Sequence, residues 1–199
     1  MTFDGDYTAR FAAQLNRLKN ENRYRHFVEL ERIAGRHPVA RRHHAGHAEE
    51  VIVWCSNDYL GMGQHPDVIT AMQDAAGTWG AGAGGTRNIS GTSHALVELE
   101  AELAALHGKE RALTFTSGYV ANEASLAALA AQLPDVLILS DAMNHASIIS
   151  GIRMARVDKA IFRHNDIAHL ESLLAEQPRE RAKIIVFESV YSMDGDTGP

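Results

Sequence analysis

From Val51 onward the chain alternates short apolar runs with stretches of helical periodicity, an order that few folds accommodate. Val51–Trp54, Ala112–Phe115, Val136–Leu139, Ala160–Phe162 and Ile184–Phe187 read as strands. Between them run helical patterns from Pro66, over Ser93–His107, up to Leu133, over Ala146–Ala155 and over Asp166–Glu176. Strands separated by helices must be joined by crossovers, so the order predicts an α/β fold with a mainly parallel sheet covered on both faces. Leu96, Leu99, Leu103 and Leu106 form one apolar stripe, and Gly108 stands where a helix C-cap is expected.

Upstream of this alternation, Phe11, Leu15 and Leu18 recur at helical spacing, and Phe27, Leu30 and Ile33 continue the pattern toward Gly35. Two opening helices are expected. Arg36–Glu50 holds Pro38, Gly46 and four histidines without apolar periodicity, which reads as an exposed loop or short hairpin. His43, His44 and His47 lack a cysteine or carboxylate at ligand spacing, so no metal is expected. The expected division is a helical segment and loop over 1–50, followed by the first part of a large α/β domain over 51–199.

A hydrophobic content of 45% supplies a core. The formal net charge of −6 argues against nucleic acid as the main partner, because phosphate backbones require a concentrated basic face. Cys55 is the only cysteine, which points to a reducing compartment. The first residues show no basic and apolar leader, and no stretch reaches membrane-span length. A soluble, cytoplasmic protein is the expectation.

In open α/β sheets ligands sit beyond the carboxyl ends of the strands, which singles out three loops. Thr116-Ser117-Gly118-Tyr119 joins a strand to a helix, and free amides at a helix start, a glycine and a hydroxyl suit a phosphate. A serine cap followed by a glycine turn has the same appearance. In Ser140-Asp141-Ala142-Met143-Asn144-His145-Ala146-Ser147, the flat ring of His145 could stack on an aromatic cofactor or simply pack. Glu188-Ser189-Val190-Tyr191-Ser192-Met193-Asp194-Gly195-Asp196 crowds polar groups after an apolar strand, which calls for a ligand, a polar network or a surface turn. Glycine is dense from Gly80 to Gly91. A dinucleotide fingerprint leaves a strand and opens a helix directly, with an acidic residue about 20 positions on, whereas here a helix precedes the glycines.

Taken in order, Cys-Ser-Asn-Asp-Tyr-Leu-Gly at 55–61, Gly-Thr-Arg-Asn-Ile-Ser-Gly-Thr at 85–92, Thr-Ser-Gly-Tyr at 116–119, Asn-His-Ala-Ser at 144–147 and Glu-Ser-Val-Tyr-Ser-Met-Asp-Gly-Asp at 188–196 resemble the α-oxoamine synthase family of fold-type-I pyridoxal-phosphate enzymes. The resemblance runs from about Asn16 to Pro199. It implies an aspartate-aminotransferase-like large domain, pyridoxal 5′-phosphate as cofactor, and a homodimer with its active site at the interface. The 85–92 run and Val53–Pro66 resemble the members that condense glycine with succinyl-CoA, releasing CoA and CO2, at the entry to tetrapyrrole and heme synthesis. Other members, 8-amino-7-oxononanoate synthase and 2-amino-3-ketobutyrate CoA ligase, are the alternatives, together with a non-catalytic half that only binds or oligomerises.

The resemblance also carries roles. Ser117, Gly118 and Tyr119 hold the cofactor phosphate, and His145 stacks on its ring. Asn57 and Ser192 meet the glycine-derived carboxylate, and Glu188 supports the cofactor region. Arg25, Thr86 and Asn88 grip the succinyl carboxylate beside Ile89, while Ser140 and Lys159 contact CoA. The family commonly places a histidine where this chain has Leu96, with His94 two positions earlier. Lys19, Lys109, Lys159 and Lys183 are the chain's only lysines, and none lies in the family's Schiff-base motif. The expectation is a chain incomplete at its C-terminus and inactive alone.

Overall fold

A computed structural model describes residues 6–199, so the first five residues of the expected opening segment lie outside it. The chain forms two compact units, Met1–Ala83 and Gly84–Pro199.

The first unit opens with helix α1, Tyr7–Asn20, whose cap Asp6 accepts hydrogen bonds from the amides of Thr8 and Ala9 at 3.0 and 3.2 Å. The expected second helix does not form. Its residues enter strand β1, Glu29–Arg32, which pairs antiparallel with β2, Val39–His44, and β2 pairs with β3, His47–Ile52. Three apolar residues at intervals of three are too short a pattern to outweigh a ladder tied by ion pairs, with Glu31 holding both Arg41 at 3.1 Å and His43 at 2.8 Å. The 36–50 segment is the hairpin of the two readings. His44 pairs with His47, and between them Ala45 and Gly46 both take positive φ, 48° and 80°, as a tight two-residue turn requires. Consequently Val51 and Ile52 end an antiparallel strand and contribute nothing to the parallel sheet. A 3-10 turn, Met62–Gln64, then leads to α2, Pro66–Trp79, with proline at its first position.

The second unit contains α3 (Arg87–Ser90), α4 (His94–Leu106), α5 (Gly118–Ala131), β4 (Leu137–Asp141), α6 (Ala146–Ala155), β5 (Asp158–Phe162), α7 (Ile167–Ala175) and β6 (Lys183–Val186). Its sheet is parallel in the order β5-β4-β6, with Leu139 opposite Ala160 on one side and Ile185 on the other. Central β4 is buried at all five positions. Alternation along it builds two cores. Val136 and Ile138 pack with Ala130, Ile148 and Ile152, while Leu137 and Leu139 pack with Phe162 and Leu170. Each fully buried Ile or Leu side chain contributes about 1.5–3 kcal/mol. Helices α5 and α6 cover the first face and meet closely at Gly151, where a Cβ would lie 2.9 Å from the Glu123 carbonyl oxygen.

Ala112–Phe115, read as a strand, joins no ladder among the described residues. The Thr114 amide donates instead to the Glu100 carboxylate at 2.8 Å, so its hydrogen bond is met by a side chain. No helix among the described residues is long and apolar enough to cross a membrane.

Candidate active site

The three loops come together because β4 and β6 are neighbours and α5 and α6 pack on one face. Ser117 caps α5, its Oγ accepting from the Val120 amide at 3.2 Å. That bond leaves the hydroxyl proton available to a ligand. The Gly118 and Tyr119 amides, in the first turn, have no acceptor within the helix. At Gly118 a Cβ would meet nothing within 4 Å, so no neighbouring atom crowds the helix start at that position.

His145 caps α6 and lies exposed beside this helix start, its ring edge-on to Tyr119 with centroids 6.2 Å apart. Its Nδ1 accepts from the Ser147 amide at 3.2 Å and lies 2.7 Å from the Ser147 Oγ. Fully buried Ser147 in turn accepts from the Asn122 side-chain amide at 3.0 Å. Ser147 therefore donates to Nδ1, which places the ring proton on Nε2. The His145 main-chain amide donates to Glu188 Oε1 at 2.5 Å, tying the second loop to the third. Buried Asn144 adds bonds to Ser140 Oγ at 2.9 Å and to the Val186 carbonyl at 2.8 Å.

Ser192 is exposed in the turn that a bridge between Val190 and Thr197 closes. Ser140 is buried and its hydroxyl donates to the Asp141 carbonyl. Together with exposed Lys159 it borders a cavity of about 190 Å³ that also touches Arg153. Thr86 stands at the N-cap position of α3 with no side-chain capping bond, and Asn88 and Ile89 stand exposed on its single turn. Arg25 and Asn57 belong to the first unit. There Arg25 is exposed, and Asn57 borders a hollow of about 430 Å³ with Arg32, His37 and Gln64.

Two constellations were not singled out from the sequence. Arg87 turns inward from the exposed face of α3 and forms a two-pronged pair with Glu100, at 2.7 and 3.2 Å, while also donating to Thr114 Oγ1 at 2.8 Å. The Arg87 guanidinium, then the Thr114 amide and hydroxyl, hold the Glu100 carboxyl down at about 2. This clamp fixes the 86–89 turn relative to the segment that leads into Ser117.

The other is centred on His164, bonded to Asp141 through Nδ1 at 2.8 Å and to Asp196 through Nε2 at 2.5 Å. The two carboxylates raise the imidazole above its ordinary value, against a smaller opposing effect of burial. Burial pushes Asp141 up, but the Asn165 and Met143 amides and His164 together bring it below the usual carboxylate value. Arg163-His164-Asn165-Asp166, polar residues crowded directly after a strand, carry the same signal as the three loops that were read.

Residues 49–199 match the family model described as aminotransferase class I and II. The chain is 56% identical over 194 residues to the 5-aminolevulinate synthase of Bradyrhizobium diazoefficiens, covering 98% of this chain and 47% of that protein. It is equally identical to the enzyme of that name from Rhizobium meliloti, covering 48% of it. The chain thus spans about half the length of the curated relatives it matches. Among solved structures, a serine palmitoyltransferase variant from S. paucimobilis with a bound PLP–myriocin aldimine superposes with a TM-score of 0.82 at 33% identity, over 98% of this chain and 50% of that one. The 8-amino-7-oxononanoate synthase of Francisella tularensis gives 0.58 at 23% identity over 73% of this chain and 39% of that one, a likeness of fold. The parallel sheet, the open helix start at its carboxyl edge and the match over three quarters of the sequence agree: the chain belongs to the aminotransferase class I and II family.

Proposed function

We propose that this chain forms part of a 5-aminolevulinate synthase, a pyridoxal-phosphate-dependent acyltransferase that condenses glycine with succinyl-CoA to give 5-aminolevulinate, CoA and CO2. The observation that carries the reading is identity of 56% across 98% of the chain with proteins of that name.

The residues present fit the cofactor. An anion at the start of α5 gains the Gly118 and Tyr119 amides, the Ser117 hydroxyl proton and the helix dipole. The exposed His145 ring, held in one tautomer by Ser147, offers a flat face beside that anion. When bound, pyridoxal phosphate supplies the electron sink that stabilises negative charge on the glycine carbon. Glu188 holds the loop that carries His145, and Ser192 stands on the adjoining turn, where its hydroxyl can serve the cofactor or the glycine carboxylate.

Asn57 is assigned to that same carboxylate, and Arg25, Thr86 and Asn88, with Ile89 beside them, to the succinyl tail. A guanidinium with hydroxyl and amide donors suits such a tail, because charge-assisted bonds orient as well as hold it. Lys159 and Ser140 border one cavity, which supports their assignment to CoA. The Schiff-base lysine is assigned outside these 199 residues, since the family's motif contains none of the four present. A homodimer is part of the same proposal, supported by the wide exposure of Ile89 at 86% and Met193 at 85%.

The test is direct. The complete protein, supplied with pyridoxal phosphate, glycine and succinyl-CoA, is expected to release free CoA thiol and form 5-aminolevulinate in equal amounts. Thiol release without the amino ketone, or no turnover of this pair, overturns the reading.

A further inference from the structure

The loop that bears Glu188 and Ser192 follows the outer strand β6 and is held at its far end by two residues of the β5–α7 connection, His164 and Asn165. We infer that His164 is a positioning residue for the proposed cofactor site, its imidazolium locking the 188–197 loop so that Glu188 stays on the His145 amide. The inference rests on the cofactor reading given above.

The geometry is a chain of contacts. His164 bridges Asp141, at the end of β4, and Asp196, at the end of the loop, at 2.8 and 2.5 Å. Asn165 doubles the tie through its main-chain amide to Asp141 Oδ2 at 2.9 Å and its side chain to Asp196 Oδ2 at 3.0 Å. Buried Tyr191 sets its ring edge-on to the imidazole at 4.4 Å and donates its amide to the Asp196 carbonyl at 2.9 Å. The Tyr191 hydroxyl oxygen accepts from the Glu188 amide at 3.3 Å, and the Glu188 carboxylate accepts from His145. An ordered imidazole thus reaches the cofactor loop through two residues.

The groups facing His164 are Asp141 from β4 and Asp196 and Tyr191 from the loop, while neighbouring Arg163 is engaged by Asp166 at 2.7 Å. No cation among them competes for the two carboxylates. A neutral imidazole carries one proton and donates to only one of two acceptors, so deprotonation removes one of the two imidazole–carboxylate bonds and leaves Asn165 alone to hold that side. With both carboxylates ionised, the lock is closed below the raised His164 titration and opens as pH rises through it.

The experiment uses the complete protein with histidines labelled at Cε1. The His164 resonance, identified by its loss in His164→Gln, is followed with pH in wild type and in Asp196→Asn, which keeps the fold contacts and removes one carboxylate. Cofactor affinity is measured by pyridoxal-phosphate titration over the same range. The expected result is an imidazole midpoint above the ordinary histidine value that falls in Asp196→Asn. The dissociation constant should rise roughly tenfold or more on the alkaline side of that midpoint in both proteins, and move with it. A midpoint unmoved by Asp196→Asn, or an affinity profile that stays put while the midpoint moves, overturns the inference. If the wild-type protein binds no pyridoxal phosphate, the function reading fails. The lock is then judged by exchange of the His145 amide relative to its intrinsic rate: it must quicken as the imidazolium is lost, and insensitivity to His164 overturns it.

Discussion

The carboxylate of Glu188 accepts the main-chain amide of His145 across 43 residues of sequence, at 2.5 Å. Two loops that follow different strands are thereby fixed to each other, and the exposed ring of His145 is presented at one height above the sheet edge. A bond from an amide to an ionised acceptor contributes at most about 1.5–3 kcal/mol, and less at an exposed site such as this one, where water can take the place of the carboxylate.

Glu188→Ala in the complete protein is therefore expected to weaken pyridoxal-phosphate binding, at most about ten- to a hundredfold, with little change in far-UV circular dichroism. Fluorescence titration of the cofactor measures it. An unchanged dissociation constant means that the loop needs no tether.

His145→Ala is expected to lower cofactor affinity and turnover together, because the ring lies beside the open helix start. Equilibrium titration and initial rates with glycine and succinyl-CoA check it. Wild-type affinity and rate in the variant reduce His145 to a helix cap.

Arg25→Leu addresses acyl choice. Donors built around a carboxylate are left unpaired by a neutral tail, so discrimination is steep. Loss of one such contact is expected to lower kcat/KM for succinyl-CoA roughly ten- to a hundredfold while affecting butyryl-CoA far less. The ratio of the two efficiencies is the measurement. If it is the same in variant and wild type, Arg25 does not read the tail.

Glu100 gives a prediction about acid. Its folded-state value of about 2 lies below the ordinary 4.5, so its contribution to stability is present above the ordinary value and is lost as pH falls toward the lowered one. Glu100→Gln should flatten the fall in melting temperature between these two pH values. Parallel melting curves for the two proteins over that range exclude the clamp as a source of stability.

At Gly151 the obstacle is main chain. A Cβ would stand 2.9 Å from the Glu123 carbonyl oxygen and 3.0 Å from its Cα, and neither yields without moving α5. Gly151→Ala should destabilise by about 1–3 kcal/mol despite alanine's better helix propensity. Urea unfolding midpoints decide it.

What the sequence disclosed follows from the range of the interactions concerned. Leu96 to Leu106 and Ile148 to Ala155 announce α4 and α6 because a helix is periodic within itself, and four of the five apolar runs lie in or overlap strands. Strand β1 was misread because its partner, β2, begins seven residues after it ends, and pairing overrides weak local spacing. Ala112–Phe115 has the apolar character of a strand, yet character supplies no neighbour to bond with. In the candidate site, the loop after β4 drew attention to His145 through its position alone. Its attachment to Glu188, and the placement of His164 between Asp141 and Asp196, depend on which strands lie side by side, and the order β5-β4-β6 is not written in any single stretch of residues.

Helix α5 does two things at once: its first amides face the place proposed for an anion, and its Asn122 anchors the serine that orients the His145 ring. Asn122 follows Gly118 by four positions, a rise of about 6 Å. One rigid rod therefore gauges the separation between the charged end of a ligand and its aromatic plane. A molecule with the right headgroup and the right ring, joined by an arm one bond too long, would meet a ruler that does not stretch.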